Sequence, residues 1–131
     1  MKLVVCIDKS GGMMYNKRRQ SRDRVMMDNL TAHLKGRKIV ISPYSEELFV
    51  GRDMDFRVCT VPRSADDEFV FIEEAPLPEA SEVDEVVIYN WCTDYPRDRI
   101  FDFDLSDFKR ISKEKFAGYS HGKITKEVFK K

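Results

Sequence analysis

The sequence predicts an α/β fold with one mostly parallel central sheet, flanking helices and antiparallel strands at its C-terminal end. In the first half of the chain, short apolar runs rich in β-favouring residues alternate with helical patterns, as in parallel strands joined by crossover helices. In the second half the strand patterns follow one another directly, which favours antiparallel pairing. A chain of 131 residues can close one substantial core, so we expect a single domain over residues 1–131.

The first strand and the first helix have the clearest boundaries. Residues 3–7 form an uninterrupted apolar run that ends in a glycine-containing loop, which indicates a buried central strand. Apolar residues then recur at helical spacing between Ser21, a favourable N-cap residue, and Gly36, a favourable residue beyond a helix C-terminus. This pattern predicts a helix over residues 22–35.

The elements that follow are predicted mainly as strands. A second apolar run at 38–42 is broken by Pro43, after which Ser45 could cap a short helix. A loop or one helical turn suits residues 76–81. Further strands are predicted at 56–60, 69–72, 85–90, 108–112 and 123–129.

Composition excludes several classes of protein. Apolar residues make up 42% and charged residues 35%, which is typical of a globular chain and too apolar for a disordered one. No apolar run approaches the roughly 20 residues that span a bilayer, and no secretory pattern begins the chain, so we expect a cytoplasmic protein without a membrane segment. Cys6, Cys59 and Cys92 are odd in number and widely spaced, which favours reduced, mostly buried thiols.

Positive charge is concentrated in one segment, although the net charge of the chain is zero. Five cations and the single acid Asp23 lie within residues 17–24, giving this segment a charge of about +4. Guanidinium groups bind phosphate in bidentate geometry, so the segment predicts contacts to a nucleotide or an RNA backbone. The alternative is a solvated surface whose cations pair with the acidic runs at 66–74, 79–85 and 102–107. The cations are Lys17, Arg18, Arg19, Arg22 and Arg24.

A histidine and a tryptophan are further candidates for the site. His121 could act as a general acid or base, or it could only complete a local hydrogen bond at a strand end. Its neighbour Ser120 does not form a nucleophile and base pair with it by adjacency alone, because that pairing is made in space and needs an orienting acid. Trp91, with Tyr89 and Tyr95, could offer a stacking platform for a ligand ring, or these aromatic side chains could cover the core. With two histidines and no Cys-x-x-Cys, we expect no metal site.

The second half of the chain resembles dihydrofolate reductase. The similarity is carried by 69–75, 83–89 and 101–108, followed by Tyr119-Ser120-His121 and the tail 124–129; the N-terminal segments are compatible with it. The resemblance implies the fold of that family. It also implies that a buried acid at the start of the first long helix, Asp23 or Asp28, helps to protonate the substrate.

Two departures concern the places where that family accepts cofactor phosphate. Ser42-Pro43-Tyr44-Ser45 stands in place of the family's Gly-Arg-x-Thr segment, whose amides and arginine hold phosphate. Glu73 and Glu74 stand in place of paired glycines, where two negative charges would repel a pyrophosphate. We therefore expect no nicotinamide cofactor bound in the usual way, and no other cofactor.

Two segments are also similar to those of small uncharacterised bacterial proteins that are sometimes labelled ribonuclease Z. These segments are 18–23, Arg-Arg-Gln-Ser-Arg-Asp, and 119–127, Tyr-Ser-His-x-Lys-Ile-Thr-Lys-Glu. Enzymes of that name use a histidine-rich metal motif, and this sequence does not contain one.

The sequence leaves three functions open. The first is a non-reductase binding module for a phosphate-bearing small molecule or RNA, with Arg18, Arg19, Arg22, Arg24 and Trp91 as ligand-binding residues. The second is a divergent NADPH-dependent reductase with Asp23 or Asp28 as proton donor, and the third is a metal-independent nuclease using His121 and the arginines. Convergence of the arginines and His121 on one cleft would favour a site over a solvated surface.

Overall fold

The computed structural model describes residues 1–64 and 67–131; Asp66, which belongs to one of the acidic runs, lies outside this range. Within the described residues, two 3₁₀ turns, Glu46–Leu48 and Ala80–Glu82, accompany one α-helix and ten strands. The helix is α1 (Arg24–His33). The strands are β1 (Lys2–Ile7), β2 (Gly12–Tyr15), β3 (Arg18–Arg19), β4 (Lys38–Ile41), β5 (Asp55–Val58), β6 (Phe69–Phe71), β7 (Glu85–Asn90), β8 (Arg99–Ile100), β9 (Lys109–Phe116) and β10 (Ile124–Lys130).

Seven of these strands form a central sheet in the order β5-β4-β6-β1-β7-β10-β9. The first five strands in this order, β5-β4-β6-β1-β7, run parallel to one another. Strand β10 is antiparallel to β7, and β9 is antiparallel to β10. This arrangement confirms the predicted fold class. A second, three-stranded sheet in the order β3-β2-β8 was not predicted from the sequence, because its strands are two to four residues long and have no apolar periodicity.

The two faces of the central sheet bury different sets of side chains. One face packs against α1 through Met26, Met27 and Leu30. The other is covered by the β2 side chains Met13 and Met14 and by aromatic residues of 101–108. The fold therefore positions the β2–β3 hairpin and the N-terminus of α1 on opposite sides of the sheet while the chain between them is only a few residues long.

The start of α1 differs from the prediction. Asp23, rather than Ser21, is the N-cap residue, and its carboxylate accepts hydrogen bonds from the backbone amides of Val25 and Met26. A charged carboxylate binds amide donors more strongly than a hydroxyl does, and it also favours the positive end of the helix. The side chain of Ser21 is directed elsewhere.

Other local predictions need smaller corrections. Ser45 precedes only the 3₁₀ turn and makes no capping hydrogen bond with its side chain, which donates to Glu73 instead. Cys59 and Cys92 are half-buried residues rather than mostly buried ones, whereas burial of the Cys6 thiol raises its pKa. Among the described residues, no helix has the length and apolar character that a membrane crossing requires.

Candidate functional site

The site is built around Asp23, whose buried carboxylate joins the start of α1 to the loop between β9 and β10. Besides the two helix amides, Oδ1 accepts a hydrogen bond from the backbone amide of Tyr119 at 2.9 Å. Oδ2 accepts from the backbone amide of Ser120 at 2.9 Å and from its hydroxyl at 3.2 Å. One carboxylate thus holds two segments that are almost 100 residues apart in the sequence.

These hydrogen bonds decide the charge of Asp23. Burial opposes the ionised form, but the hydrogen bonds from His121 and from the amides of Tyr119, Ser120 and Met26 outweigh it and hold the pKa of Asp23 well below its usual range. A carboxylate held in this state does not give up a proton to a substrate, because it carries none. The Asp23 side chain therefore suits an orienting role better than that of a proton donor.

Asp28, the other acid that the resemblance implied, lies on the outside of α1. Its side chain is 64% exposed and pairs with Arg52 at 2.7 Å. Its carboxylate faces solvent and does not take part in the imidazole-containing site around Asp23.

His121 lies between Asp23 and two hydroxyl groups. Its Nδ1 is 2.8 Å from Oδ2 of Asp23, and its Nε2 is 3.0 Å from Oγ of Ser21 and 2.9 Å from the hydroxyl of Tyr95. Since the ionised carboxylate can only accept, Nδ1 carries the hydrogen of the neutral imidazole and Nε2 is left as an acceptor. We call Ser21, Asp23, Tyr95 and His121 the imidazole cluster.

Trp91 fixes the plane of this imidazole. Its indole is 2% exposed and stacks on the ring of His121, with 4.7 Å between centroids and 22° between planes. The ring predicted as a platform for a ligand is therefore covered within the protein. Its contact with His121 makes it a support of the imidazole cluster instead.

Gly118 allows the β9–β10 loop to approach Asp23. A Cβ atom at this position would lie 2.6 Å from Oδ2 of Asp23 and 2.6 Å from Cδ1 of Ile124. We predict that Gly118→Ala lowers the free energy of unfolding by about 2 kcal/mol, the usual effect of inserting a methyl group into a packed site. It should also shift the NMR signals of the His121 ring. Gly122→Ala is the matched control in the same loop, because a Cβ there meets no atom within 4 Å. A Gly118→Ala protein as stable as Gly122→Ala would show that the loop adjusts freely.

A small cavity lies beside the imidazole cluster, at the β2–β3 hairpin. It has a volume of about 250 Å³, and Tyr95 lines it as well as contacting His121. Gln20, one of the lining residues, donates a hydrogen bond through Nε2 to Asp8 at 3.0 Å. Its Oε1 atom is buried and accepts no hydrogen bond from any described residue. We call this space the hairpin cavity. Its lining residues are Tyr15, Asn16, Arg18, Arg19, Gln20, Tyr95 and Pro96.

Of the two arginines in the hairpin cavity, Arg19 is held by the protein. Its guanidinium makes a bidentate contact with Glu73, with Nε–Oε2 at 2.8 Å and Nη2–Oε1 at 3.0 Å, and its Nη1 contacts Glu47. The same group lies over the ring of Tyr44. Two carboxylates compensate its charge, so Arg19 is not available to hold a phosphate in the way the sequence predicted.

Glu73 and Glu74 also determine whether this chain can hold the nicotinamide cofactor that dihydrofolate reductases bind. Oε1 of Glu73 accepts from the hydroxyl of Ser45 at 2.8 Å, and Oε1 of Glu74 accepts from the hydroxyl of Ser42 at 2.8 Å. The segment expected to hold phosphate thus donates its hydroxyl groups to carboxylates. The residues present therefore do not fit the cofactor phosphates.

The remaining predicted arginines lie apart from the hairpin cavity. Arg22 is 60% exposed and lies 3.8 Å from Glu47. The guanidinium of Arg24 lies 3.9 Å from the ring centroid of Tyr119. Both line a second, narrower cavity beside Asp23. Arg18 and Arg19 line the hairpin cavity, Arg22 and Arg24 line the other, and His121 lines neither, so the arginines and His121 do not converge on one cleft. Arg19 and Arg22 both contact Oε1 of Glu47.

Sequence reasoning named Asp23 and His121 but missed Ser21 and Tyr95 as partners of the imidazole, and it did not single out Gln20. Tyr95 and His121 are 26 residues apart, and Ser21 and His121 are 100 apart. No motif spacing reports such contacts. The one available signal was that Ser21 is two residues from Asp23, the acid that the resemblance placed at the helix start.

Comparisons with known proteins bear on the fold alone. No family model matches the sequence, and no curated protein matches it significantly. Among solved structures, dihydrofolate reductase from Enterococcus faecalis complexed with NADP(H) and RAB-propyl is similar to the chain, with a TM-score of 0.64 and 9% identity. The similarity covers 98% of this chain and 94% of that chain, which shows a dihydrofolate reductase-like fold.

Proposed function

We propose that this dihydrofolate reductase-like fold serves as a binding module for a phosphate-bearing ligand, a nucleotide or a nucleotide unit of RNA, which enters the hairpin cavity. The observation that supports the proposal is the exposed side chain of Arg18 in the cavity lining, which makes no ion pair with a described carboxylate. A cation that the fold leaves without an acid favours an anionic ligand.

Arg18 is the cation that the hairpin cavity offers to a phosphate. It is exposed at the cavity wall and, unlike Arg19, makes no ion pair with a described carboxylate. A guanidinium with free N–H groups binds phosphate oxygens in bidentate geometry. Arg18 therefore favours a ligand that carries a phosphate group, as a nucleotide does.

Two tyrosine rings complete the cavity. Tyr15 is paired with Arg18 across the β2–β3 ladder and is 50% exposed, and Tyr95 lines the opposite wall. Aromatic faces beside a cationic group are the usual means of binding a base and its phosphate without sequence preference. The volume of about 250 Å³ is at the small end for ligand sites and suits one nucleotide unit better than a dinucleotide.

The hairpin turn holds these groups in a fixed position. Asn16 and Lys17 both have positive φ, 52° and 61°, as a two-residue type I′ turn requires. The amide of Asn16 donates to Asp98 at 2.9 Å, which ties the turn to a neighbouring loop. Positive φ at Lys17 is an unfavourable conformation that the surrounding contacts maintain, a feature common at binding sites. The backbone of the turn is therefore fixed before a ligand contacts Arg18.

The test is a titration of the ¹⁵N-labelled protein with a mononucleotide and, separately, with a short mixed-sequence RNA at low salt. We expect chemical-shift changes at Tyr15, Arg18 and the side-chain amide of Gln20, and a loss of affinity of about tenfold or more in Arg18→Ala. Arg63→Ala is the matched control, because Arg63 is also exposed and does not line the cavity.

Each outcome of this titration has a distinct meaning. Binding of the mononucleotide identifies a nucleotide site, and binding of RNA alone identifies an RNA site. Cleavage of the RNA during the experiment would favour the metal-independent nuclease. An absence of shift changes with both ligands, or an equal loss of affinity in Arg18→Ala and Arg63→Ala, would refute the proposal.

A further inference from the structure

We infer that the imidazole cluster is a hydrolytic site for carboxylic esters, in which Ser21 is the nucleophile, His121 is the general base, and Asp23 positions His121. This activity is independent of the binding function proposed above. It rests on contacts that the sequence did not predict.

The order of contacts is that of a nucleophile, a base and an orienting acid. Oγ of Ser21 lies 3.0 Å from Nε2 of His121, and Nδ1 of His121 lies 2.8 Å from Oδ2 of Asp23. Both distances are within the range for a base that accepts the proton of a serine hydroxyl. Because Asp23 accepts from Nδ1, Nε2 presents its lone pair toward Ser21, as the chemistry requires.

The base is buried and fixed, while the nucleophile can be reached from outside. The side chains of His121 and Asp23 are 4% and 0% exposed, whereas Ser21 is half-buried. The indole of Trp91 stacks on the imidazole and restricts its rotation. A rigid base next to an accessible hydroxyl is the arrangement that makes a weak nucleophile reactive.

The backbone after Ser21 can stabilise the negative charge that develops on an ester oxygen. The amide of Arg22, the residue that follows the nucleophile, donates a hydrogen bond to no described residue. In several unrelated hydrolases, the amide after the nucleophile is an oxyanion donor.

Tyr95 competes with Ser21 for the Nε2 atom of His121. Its hydroxyl lies 2.9 Å from Nε2 of His121 and 3.5 Å from Oγ of Ser21. Nε2 has a single lone pair, so the two hydroxyl groups share it in the free protein. A substrate that displaces the tyrosine hydroxyl leaves the lone pair to Ser21.

The reaction proceeds in two balanced stages. Oγ of Ser21 attacks the ester carbonyl carbon and its proton moves to Nε2 of His121; the bond to the alcohol oxygen then breaks, and Nε2 gives that proton to the leaving alkoxide. A water molecule next attacks the acyl-serine, its proton moves to Nε2 and returns to Oγ as the acyl bond breaks. The net change converts one ester and one water into a carboxylic acid and an alcohol.

The experiment uses the full chain with p-nitrophenyl acetate as substrate and a fluorophosphonate as covalent probe. We expect the probe to add once, on Ser21, with loss of fluoride, as located by peptide mass spectrometry. In Ser21→Ala the adduct should disappear and the esterase rate should fall by about 100-fold or more, the usual contribution of an activated nucleophile. Ser81→Ala is the control, because Ser81 is exposed on a 3₁₀ turn away from the cluster.

Tyr95→Phe separates the two hydroxyl groups that contact the base. Loss of the tyrosine hydroxyl should leave the adduct on Ser21 and raise the esterase rate, because Nε2 is then left to Ser21. An adduct that persists in Ser21→Ala would overturn the inference. So would an esterase rate that is the same in the wild-type protein and in Ser21→Ala. Circular dichroism of each variant shows that it is folded, and unchanged nucleotide binding in Ser21→Ala keeps this result separate from the proposed function.

Discussion

Asp23→Asn is expected to lower the free energy of unfolding by about 3 kcal/mol or more, since it removes the acceptor of a charged, buried hydrogen-bond network. Both carboxylate oxygens of Asp23 accept hydrogen bonds, from α1 and from the β9–β10 loop. The amide group of Asn would direct two donors toward groups that also donate. Denaturant unfolding monitored by the fluorescence of Trp91 measures the loss, because this buried indole is the single tryptophan.

Asp28→Asn is the matched control for this prediction. Asp28 lies on α1, the helix that Asp23 caps, and it pairs with Arg52, but its carboxylate is 64% exposed. Exposed ion pairs contribute about 0–1 kcal/mol, so the control should be nearly as stable as the parent protein. Equal losses in the two variants would mean that the carboxylate of Asp23 has no special structural role.

The same carboxylate should make stability depend on pH in the acid range. The folded-state pKa of Asp23 is lowered below that of the unfolded chain, so its contribution is fully present above the unfolded value and is lost as pH falls toward the folded value. Stability of the parent protein should therefore decrease below about pH 4, the usual pKa of an aspartate in an unfolded chain. Asp23→Asn should show a smaller decrease over the same interval in acid titrations of the unfolding midpoint.

Glu73→Leu is expected to destabilise the protein by about 3 kcal/mol, because it leaves Arg19 without the partner of its bidentate contact. The side chains of Arg19 and Glu73 are 13% and 8% exposed, and Glu47, the other acid on Arg19, is largely in solvent. Unfolding in denaturant measures the effect. The matched control, Glu82→Leu, removes an exposed carboxylate from a 3₁₀ turn and should change stability by less than about 0.5 kcal/mol.

A double substitution distinguishes the cost of a broken pair from the value of the pair itself. Replacing both residues, Arg19→Met with Glu73→Leu, removes the unpaired charge and should recover most of the lost stability. If the double variant is as unstable as Glu73→Leu alone, the loss of stability comes from lost packing and not from the Arg19 guanidinium that has lost its bidentate partner. Glu73 stands where the dihydrofolate reductases that the chain resembles have a glycine near the cofactor. The stability of the variants therefore shows whether Glu73 has a structural role at that position.

Hydrophobic patterning predicted the large elements well, because burial on a sheet or against a helix repeats at a fixed period. The runs at 3–7, 38–42 and 85–90 correspond to β1, β4 and β7 within one or two residues. The β2–β3–β8 sheet was missed, since strands of two to four residues have no period to detect.

The sequence also did not predict which acid each basic side chain would contact. The sequence left open whether the basic segment is a site or pairs with the acidic runs, and the structure pairs Arg19 with Glu73.

By itself, the sequence determined the α/β architecture, the succession of the long strands along the chain and His121 as a candidate, because periodicity and side-chain chemistry are local properties. Asp23 became a candidate, beside Asp28, only through the resemblance to dihydrofolate reductase. Only the tertiary structure decided what these candidates contact. It brought Ser21 and Asp23 to His121 across about 100 residues, covered Trp91 and paired Arg19 with acids. The physical reason is that hydrogen bonds and ion pairs act over a few ångströms in space, so a chemical site exists only where the fold brings distant segments together.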